Sequence, residues 1–253
     1  MKLFKMGIFL MVTSLAGSAF AGSLRIAAAA DLKFALEQIV KDYSMANPHD
    51  KIDVSYGSSG KFVTQIKEGA PFDLFLSADT ENAQLLVADE KNVGPLFSYA
   101  QGHLVVWTKN ESKLVLDKDL KVLLSPDIKK IAVANSKLAP YGRIAEAAMK
   151  KAGIFEQVSK KLVVGENISQ TAQFAESGAA DVSLIAMSLA QSETLKKEGR
   201  FVEVNPALYP ALIQSGIVLK SKNHDTAENF KKYFLSAKSQ KVMKDFGLQP
   251  VVK

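Results

Sequence analysis

Four segments of this chain place small polar residues and free backbone donors at the start of a helix candidate. They are AAAADLKFAL (27–36), YGSSGKFVTQI (56–66), LAPYGRIAEAA (138–148) and GENISQTAQFA (165–175). In each, a strand-like run enters a helix-like run through a joint of Ser, Asn, Asp, Gly or Tyr. The first N–H groups of a helix have no intrahelical acceptor, and the helix start is a weak positive pole. Several such starts brought together would cage a small anion with neutral donors and no cation.

Other chemistries find less support. His49, His103 and His224 are far apart and lack ligand spacing, and the chain has no Cys, so neither a thiolate metal site nor a disulfide is available. No nucleophile motif sets up a Ser/His/Asp arrangement, and the acidic residues show no paired pattern for general acid and base work. Trp107 and the Phe residues fall on core positions. Binding, not catalysis, is the function class these residues favour.

The joints must be held by the elements around them. Strand candidates fall at 23–29, 51–56, 72–77, 103–108, 130–134, 161–164, 181–186 and 211–219. Helix candidates fall at 32–46, 60–68, 80–90, 143–152, 168–177, 187–198, 225–236 and 238–246. This alternation predicts α/β layers with largely parallel sheets. In the first helix Leu32, Leu36, Ile39 and Tyr43 share one face, and Asp31 precedes it where a carboxylate can cap the first turn. The pattern fits two similar α/β lobes. Two extended apolar segments, 98–107 and 209–220, are able to cross between them, and lobes so joined close on a ligand by hinge motion.

The N-terminus reads as an export signal: Lys2 and Lys5, then the apolar stretch Met6–Leu15, then Ala19-Phe20-Ala21 before Gly22. Cleavage near Ala21 gives an exported protein beginning at Gly22, and no Cys follows to carry a lipid. The remainder has no run of apolar residues long enough for a membrane span. The 253-residue chain has a formal charge of +6, spread through amphipathic helices. No basic run with interleaved aromatics is present, so nucleic acid is not an expected partner.

With these segments in view the chain resembles the periplasmic molybdate-binding proteins, the soluble receptors of bacterial ABC-type importers. The resemblance rests on AAAADLKFALEQI, YGSSGKFVTQIKEGAPFDLFLSAD, PYGRIAEAAM, GENISQTAQFAESGAADVSLI and KSQKVMKDFGL, in the family's order and spacing. GAPFDLFLSAD is the most specific piece, and it is shared with other anion receptors of the superfamily. The resemblance implies a type II periplasmic-binding-protein fold: two α/β lobes, two crossover hinge segments, and the ligand in the cleft. Its boundaries would be 1–21 for the signal peptide, 22–102 with 219–253 for the first lobe, and 103–218 for the second. It implies a monomeric periplasmic receptor without cofactor or enzymatic activity, whose ligand is molybdate or tungstate and whose partner is an inner-membrane ABC permease. The ligand positions it carries over are Ala30 and Asp31, Ser58 and Ser59, Tyr141, and Ile168 through its backbone N–H. Ser59 is the favoured hydroxyl and amide donor of its pair.

Two positions depart from the family's pattern. Many members have Ser where this chain has Asp31, and some have Tyr where it has Ala186. A carboxylate turned toward a dianion at ~4 Å would meet a repulsion of about 4 kcal/mol per pair of unit charges at an effective dielectric of 20. Asp31 is therefore expected to turn back and cap its own helix, and Tyr141 is expected to supply the hydroxyl lost at Ala186. Lys61 reads as a solvated lysine. Arg143 lies near enough to Tyr141 to reach an anion, though the family uses no cation there. A donor-only cage suits a fully deprotonated tetrahedral oxyanion. Monohydrogen phosphate brings a proton that needs an acceptor, so a receptor for phosphate or sulfate is the alternative.

Overall fold

The computed structural model describes residues 23–251. The export signal expected at 1–21, with cleavage near Ala21, lies outside the described residues. The chain opens with β1 (Ser23–Ala29), a tight turn at Ala30–Leu32, α1 (Lys33–Ala46), β2 (Lys51–Gly57), α2 (Ser59–Lys67), β3 (Leu74–Ser77), α3 (Thr80–Ala88) and β4 (Asn92–Gly102). It continues with β5 (Leu104–Lys109), β6 (Ile131–Ala134), α4 (Pro140–Lys151), α5 (Phe155–Val158), β7 (Leu162–Gly165), α6 (Ile168–Glu176), β8 (Val182–Ala186), α7 (Met187–Ala190), α8 (Glu193–Glu198) and β9 (Gly199–Glu203). It closes with β10 (Leu212–Leu219), α9 (His224–Phe234) and α10 (Ala237–Asp245).

These strands form two five-stranded sheets, ordered β2-β1-β3-β10-β4 and β7-β6-β8-β5-β9. Each has the same plan. Three parallel strands lie side by side (β2, β1, β3 and β7, β6, β8), and an antiparallel strand, β10 or β5, pairs next to them. The inner parallel strands β3 and β8 are buried along their whole length, as helix-covered strands require, whereas the edge strands β2 and β7 are only partly buried. In the first lobe one face of the sheet packs Leu24, Ile26 and Leu74 against Leu36, Ile39, Phe230 and Phe234, and the other packs Ala27 and Phe75 against Phe62, Val63 and Leu86. The second lobe has its own core around Val106, Trp107, Ile131, Leu184 and Met149, and this core runs on through Ala29, Ala30 and Ala78 of the first lobe.

The chain crosses outward at His103, between β4 and β5. It returns ahead of Leu212, because all of β10 pairs with β3 and β4 in the first sheet. The sequence reading placed that boundary at 218/219, at the far end of this strand. Its apolar character belongs to both sheets equally, and only the pairing assigns it. Two edge strands, most of β4 and all of β9, also went unread. Each is only partly buried, and β4 carries Pro95, which an edge strand accommodates. The helix expected over 187–198 is two helices, because the Ser192 hydroxyl accepts the Leu195 N–H and starts α8 afresh.

In an open α/β sheet, ligands bind beyond the carboxyl ends of the strands. Here β1 and β2 end at Ala29 and Gly57, side by side. In the second sheet β6 and β7 end at Ala134 and Gly165, also paired. All four polar joints start at these ends, and the two sets of ends face each other across the space between the lobes.

Candidate functional site

Hydrogen bonds between the lobes bring the joints together. The Ser169 hydroxyl of α6 donates to the Ala30 carbonyl at 3.0 Å, and the Ser188 hydroxyl of α7 donates to the Asp31 carbonyl at 2.8 Å. The Gly60 N–H of α2 donates to the Leu138 carbonyl, just ahead of α4, at 2.9 Å. The lobes are therefore closed on one another. A Cβ at Gly60 would fall 2.9 Å from the Leu138 oxygen, so this approach depends on the glycine.

Each helix start leaves amides for a ligand. At α6 the Asn167 side chain takes the Gln170 N–H and the Asn167 carbonyl takes the Thr171 N–H. Ile168 and Ser169 keep their N–H groups. At α4 the Ala139 carbonyl accepts from Gly142 and Arg143, and Pro140 has no N–H, which leaves the Tyr141 amide. At α2 Gly60 is spent on Leu138 and Phe62 on the Ser58 carbonyl, which leaves the Ser59 and Lys61 amides. Ala30, Asp31, Ser58, Ser59, Tyr141 and Ile168 are all buried, so these donors are shielded from bulk water.

The two serines divide their work. Ser59 Oγ accepts the Ala78 N–H at 3.0 Å, which orients the hydroxyl and leaves its own proton to donate. Ser58 Oγ is buried without any protein partner. An unpaired buried hydroxyl costs about 1–3 kcal/mol, and a ligand oxygen would remove that cost.

Asp31 does not cap α1. It lies in the tight turn before the helix, where Leu32 takes the cap position, and no side chain caps that helix start. Its carboxyl turns to the hinge side of the cleft, where Oδ2 accepts from Gln214 Nε2 at 2.6 Å. Gln214 Nε2 also donates to the Tyr141 hydroxyl at 3.3 Å, which places that hydroxyl beside the Asp31 carboxyl. The Tyr141 hydroxyl thus sits in the Asp31–Gln214 cluster and accepts from Gln214, while the Tyr141 amide is free. Burial raises the Asp31 acid from 3.8 to about 6, against the lowering effect of the Gln214 and Tyr141 hydrogen bonds. Burial, with Asp31 nearby, pushes the Tyr141 phenol well above its usual range, so it stays a neutral donor.

The cations are engaged elsewhere. Arg143 pairs with Asp79 and reaches Glu81 at 3.4 Å, and Lys61 pairs with Glu166. Both pairs join one lobe to the other at the rim. A cavity of about 430 Å³ beside the Lys61–Glu166 pair is lined by Tyr56, Ser58, Lys61, Glu166 and Asn167, and one of about 450 Å³ beside the Arg143 pair is lined by Asp79, Glu81, Pro140 and Arg143. Larger depressions of about 480 and 540 Å³ lie at the opposite end of the first sheet around Arg25 and Pro71, and hold none of the donors. Among the described residues no group of three or more His, Cys, Asp or Glu is placed to hold a metal ion.

Gln214, Ser169 and Ser188 were absent from the sequence reading of the site. Gln214 had a signal: it is a polar side chain within the buried apolar strand LIQSGIVL. The two serines, inside ordinary helices, had none.

A family model described as bacterial extracellular solute-binding protein matches residues 24–249. The chain belongs to this family. It is 35% identical over 219 residues to the molybdate-binding protein ModA of Rhodobacter capsulatus, covering 86% of this chain and 84% of that one. It is 32% identical to ModA of Azotobacter vinelandii over 235 residues, 92% of each chain. The solved structure of the Azotobacter vinelandii periplasmic molybdate-binding protein superposes with a TM-score of 0.84 at 27% identity, covering 91% of this chain and 99% of that one. These likenesses agree with the two-lobed α/β architecture.

Proposed function

We propose that this solute-binding protein is a periplasmic receptor that captures molybdate, and tungstate with it, and delivers the anion to an ABC-type permease in the inner membrane. The observation that carries this reading is that hydrogen bonds between the lobes bring the starts of α2, α4 and α6 together with buried, unspent amides at Ser59, Tyr141 and Ile168 and the Ser58 and Ser59 hydroxyls beside them, while Lys61 and Arg143 are paired with carboxylates. That these relatives are named molybdate-binding proteins supports the choice of anion.

Ala30, Asp31, Ser58, Ser59, Tyr141 and Ile168 line the site in this reading. A tetrahedral dianion without a proton can accept at all four oxygens, so a cage of donors satisfies it. Sulfate shares that property and is smaller, so it would reach fewer donors at once. Capture and release need no covalent step. Closure of the lobes over the anion would give the permease a surface that spans both lobes, and the protein acts as a monomer. The export signal at 1–21 supports the periplasmic assignment.

Titration calorimetry of the mature protein with molybdate, tungstate, sulfate and phosphate tests the proposal. Molybdate and tungstate are expected to bind tightly and sulfate weakly. Strong binding of sulfate or phosphate with none of molybdate would overturn it. One feature favours a second ligand class. Asp31 Oδ1 is a buried acceptor without a partner, which suits the proton of a monohydrogen oxyanion such as phosphate. The same titration separates the two.

A further inference from the structure

Asp31 is the one carboxylate in the wall of the cage. It is 1% exposed, its Oδ2 is held by Gln214, and its Oδ1 has no partner at all. The groups facing it from the packed elements bring no positive charge. Tyr141 of α4 and Tyr99 of β4 are buried neutral phenols, Gln214 of β10 is an amide, and Ser188 of α7 bonds its carbonyl. Asp79, beyond Tyr99, is paired with Arg143, and His103 at the hinge lies 2.7 Å from Glu203. Among the described residues no Lys, Arg or His forms an ion pair with Asp31. A dianion brought into this enclosure would meet an uncompensated negative charge in a medium that screens poorly.

We propose that the protein binds its dianion together with one proton, which Asp31 carries on Oδ1 in the liganded state. This rests on the oxyanion reading above. The balance is one protein with ionised Asp31, one proton from solvent and one dianion, giving one complex with a neutral acid. The added proton turns an orphan acceptor into a donor, so Asp31 joins the other donors of the cage. Gln214 Nε2 holds Oδ2 as an acceptor and so directs the proton to Oδ1. The free carboxyl already titrates at about 6, close enough to neutrality for proton uptake to accompany binding. Asp31 is thereby the residue that sets which total charge the site accepts.

The experiment is calorimetric titration of the mature protein with sodium molybdate in buffers of differing ionisation heat, from about pH 6 to about pH 8. The expected result is uptake of about one proton per anion at the upper end, with affinity falling by about tenfold per pH unit there. Asp31→Asn keeps an acceptor for Gln214 and supplies an N–H where the acid supplies an O–H. Its affinity is expected not to change across the same range. Binding by the unaltered protein without proton uptake overturns the proposal and leaves the ligand reading standing. A pH slope that persists in Asp31→Asn also overturns it. Absence of any binding removes the ligand reading, and this proposal with it. The proton count comes from the unaltered protein, so it decides the matter even if the variant folds poorly.

Discussion

Gln214 Nε2 lies 2.6 Å from Asp31 Oδ2, a bond between residues 183 positions apart. It joins the turn after β1 to the strand that brings the chain back from the second lobe, and Tyr141 adds the second lobe itself to the same cluster. The hinge side of the cleft is thus a polar knot in an otherwise apolar setting, and much of the protein's pH behaviour follows from it.

Asp31 is expected to make the protein more stable as pH falls toward its unfolded range. Its folded value, about 6, lies above the unfolded value of 3.8, so the folded state holds the proton more tightly. That stabilisation is complete below the unfolded value and is lost as pH rises through about 6. At neutral pH the ionised group costs up to roughly 3 kcal/mol relative to the neutral acid. Asp31→Asn should therefore raise the stability of the ligand-free protein at pH 7, measured by denaturant unfolding. A lower stability would mean that the carboxylate is better satisfied than its surroundings show.

Ser59→Ala removes a hydroxyl that accepts the Ala78 N–H and has its proton to give. Oxyanion affinity should fall by about 1–3 kcal/mol, and stability should fall as well because the Ala78 amide loses its acceptor. Calorimetry and thermal unfolding of one sample measure both. Unchanged affinity would remove Ser59 from the site.

Ser58→Ala is expected to behave differently. Its hydroxyl has no protein partner, so its loss should leave stability level or slightly higher while affinity falls. The contrast between the two variants is the check. Equal losses of stability would contradict the assignment of their hydroxyls.

Gly60→Ala should oppose closure without removing any side-chain donor. Its Cβ would meet the Leu138 oxygen at 2.9 Å, and the lobes would have to part to relieve it. Affinity should fall by tenfold or more, about 1.4 kcal/mol, and small-angle scattering should show a more open molecule. An unaltered scattering profile would show that the backbone can shift to admit the methyl group.

Arg143→Ala breaks the ion pair between the lobes that involves the more deeply buried carboxylate. Asp79 keeps hydrogen bonds from Ser77 and Asn82, so it remains satisfied. The stability change should be within about 1 kcal/mol, as for other partly exposed pairs. The ligand-free protein should open more readily, an effect that salt would imitate in the unaltered protein. Loss of affinity equal to that of Ser59→Ala would instead place Arg143 on the anion.

The sequence made the repeated strand-to-helix joints legible because local rules govern them. Alternating apolar and amphipathic runs marked eight of the strands. Asn167 and the Pro at the start of α4 marked helix starts by ordinary capping chemistry. Gly60 and Ser59 fell where a donor site would need them. Edge strands and the break at Ser192 were missed because a half-buried strand and a mid-helix serine carry weak local signals.

What the residues determined by themselves was therefore the α/β plan and the four places where unpaired amides would stand, since both depend on neighbours a few positions apart. What only the folded chain decided was the partner of each polar side chain. Asp31 was free to cap its helix until a strand 183 residues away set Gln214 beside it. The Tyr141 hydroxyl was unassigned until Gln214 was set beside it, and Arg143 and Lys61 were available until Asp79 and Glu166 claimed them from the other lobe. Hydrogen bonds and charges act over a few ångströms in space whatever the distance along the chain, so these choices belong to the tertiary structure.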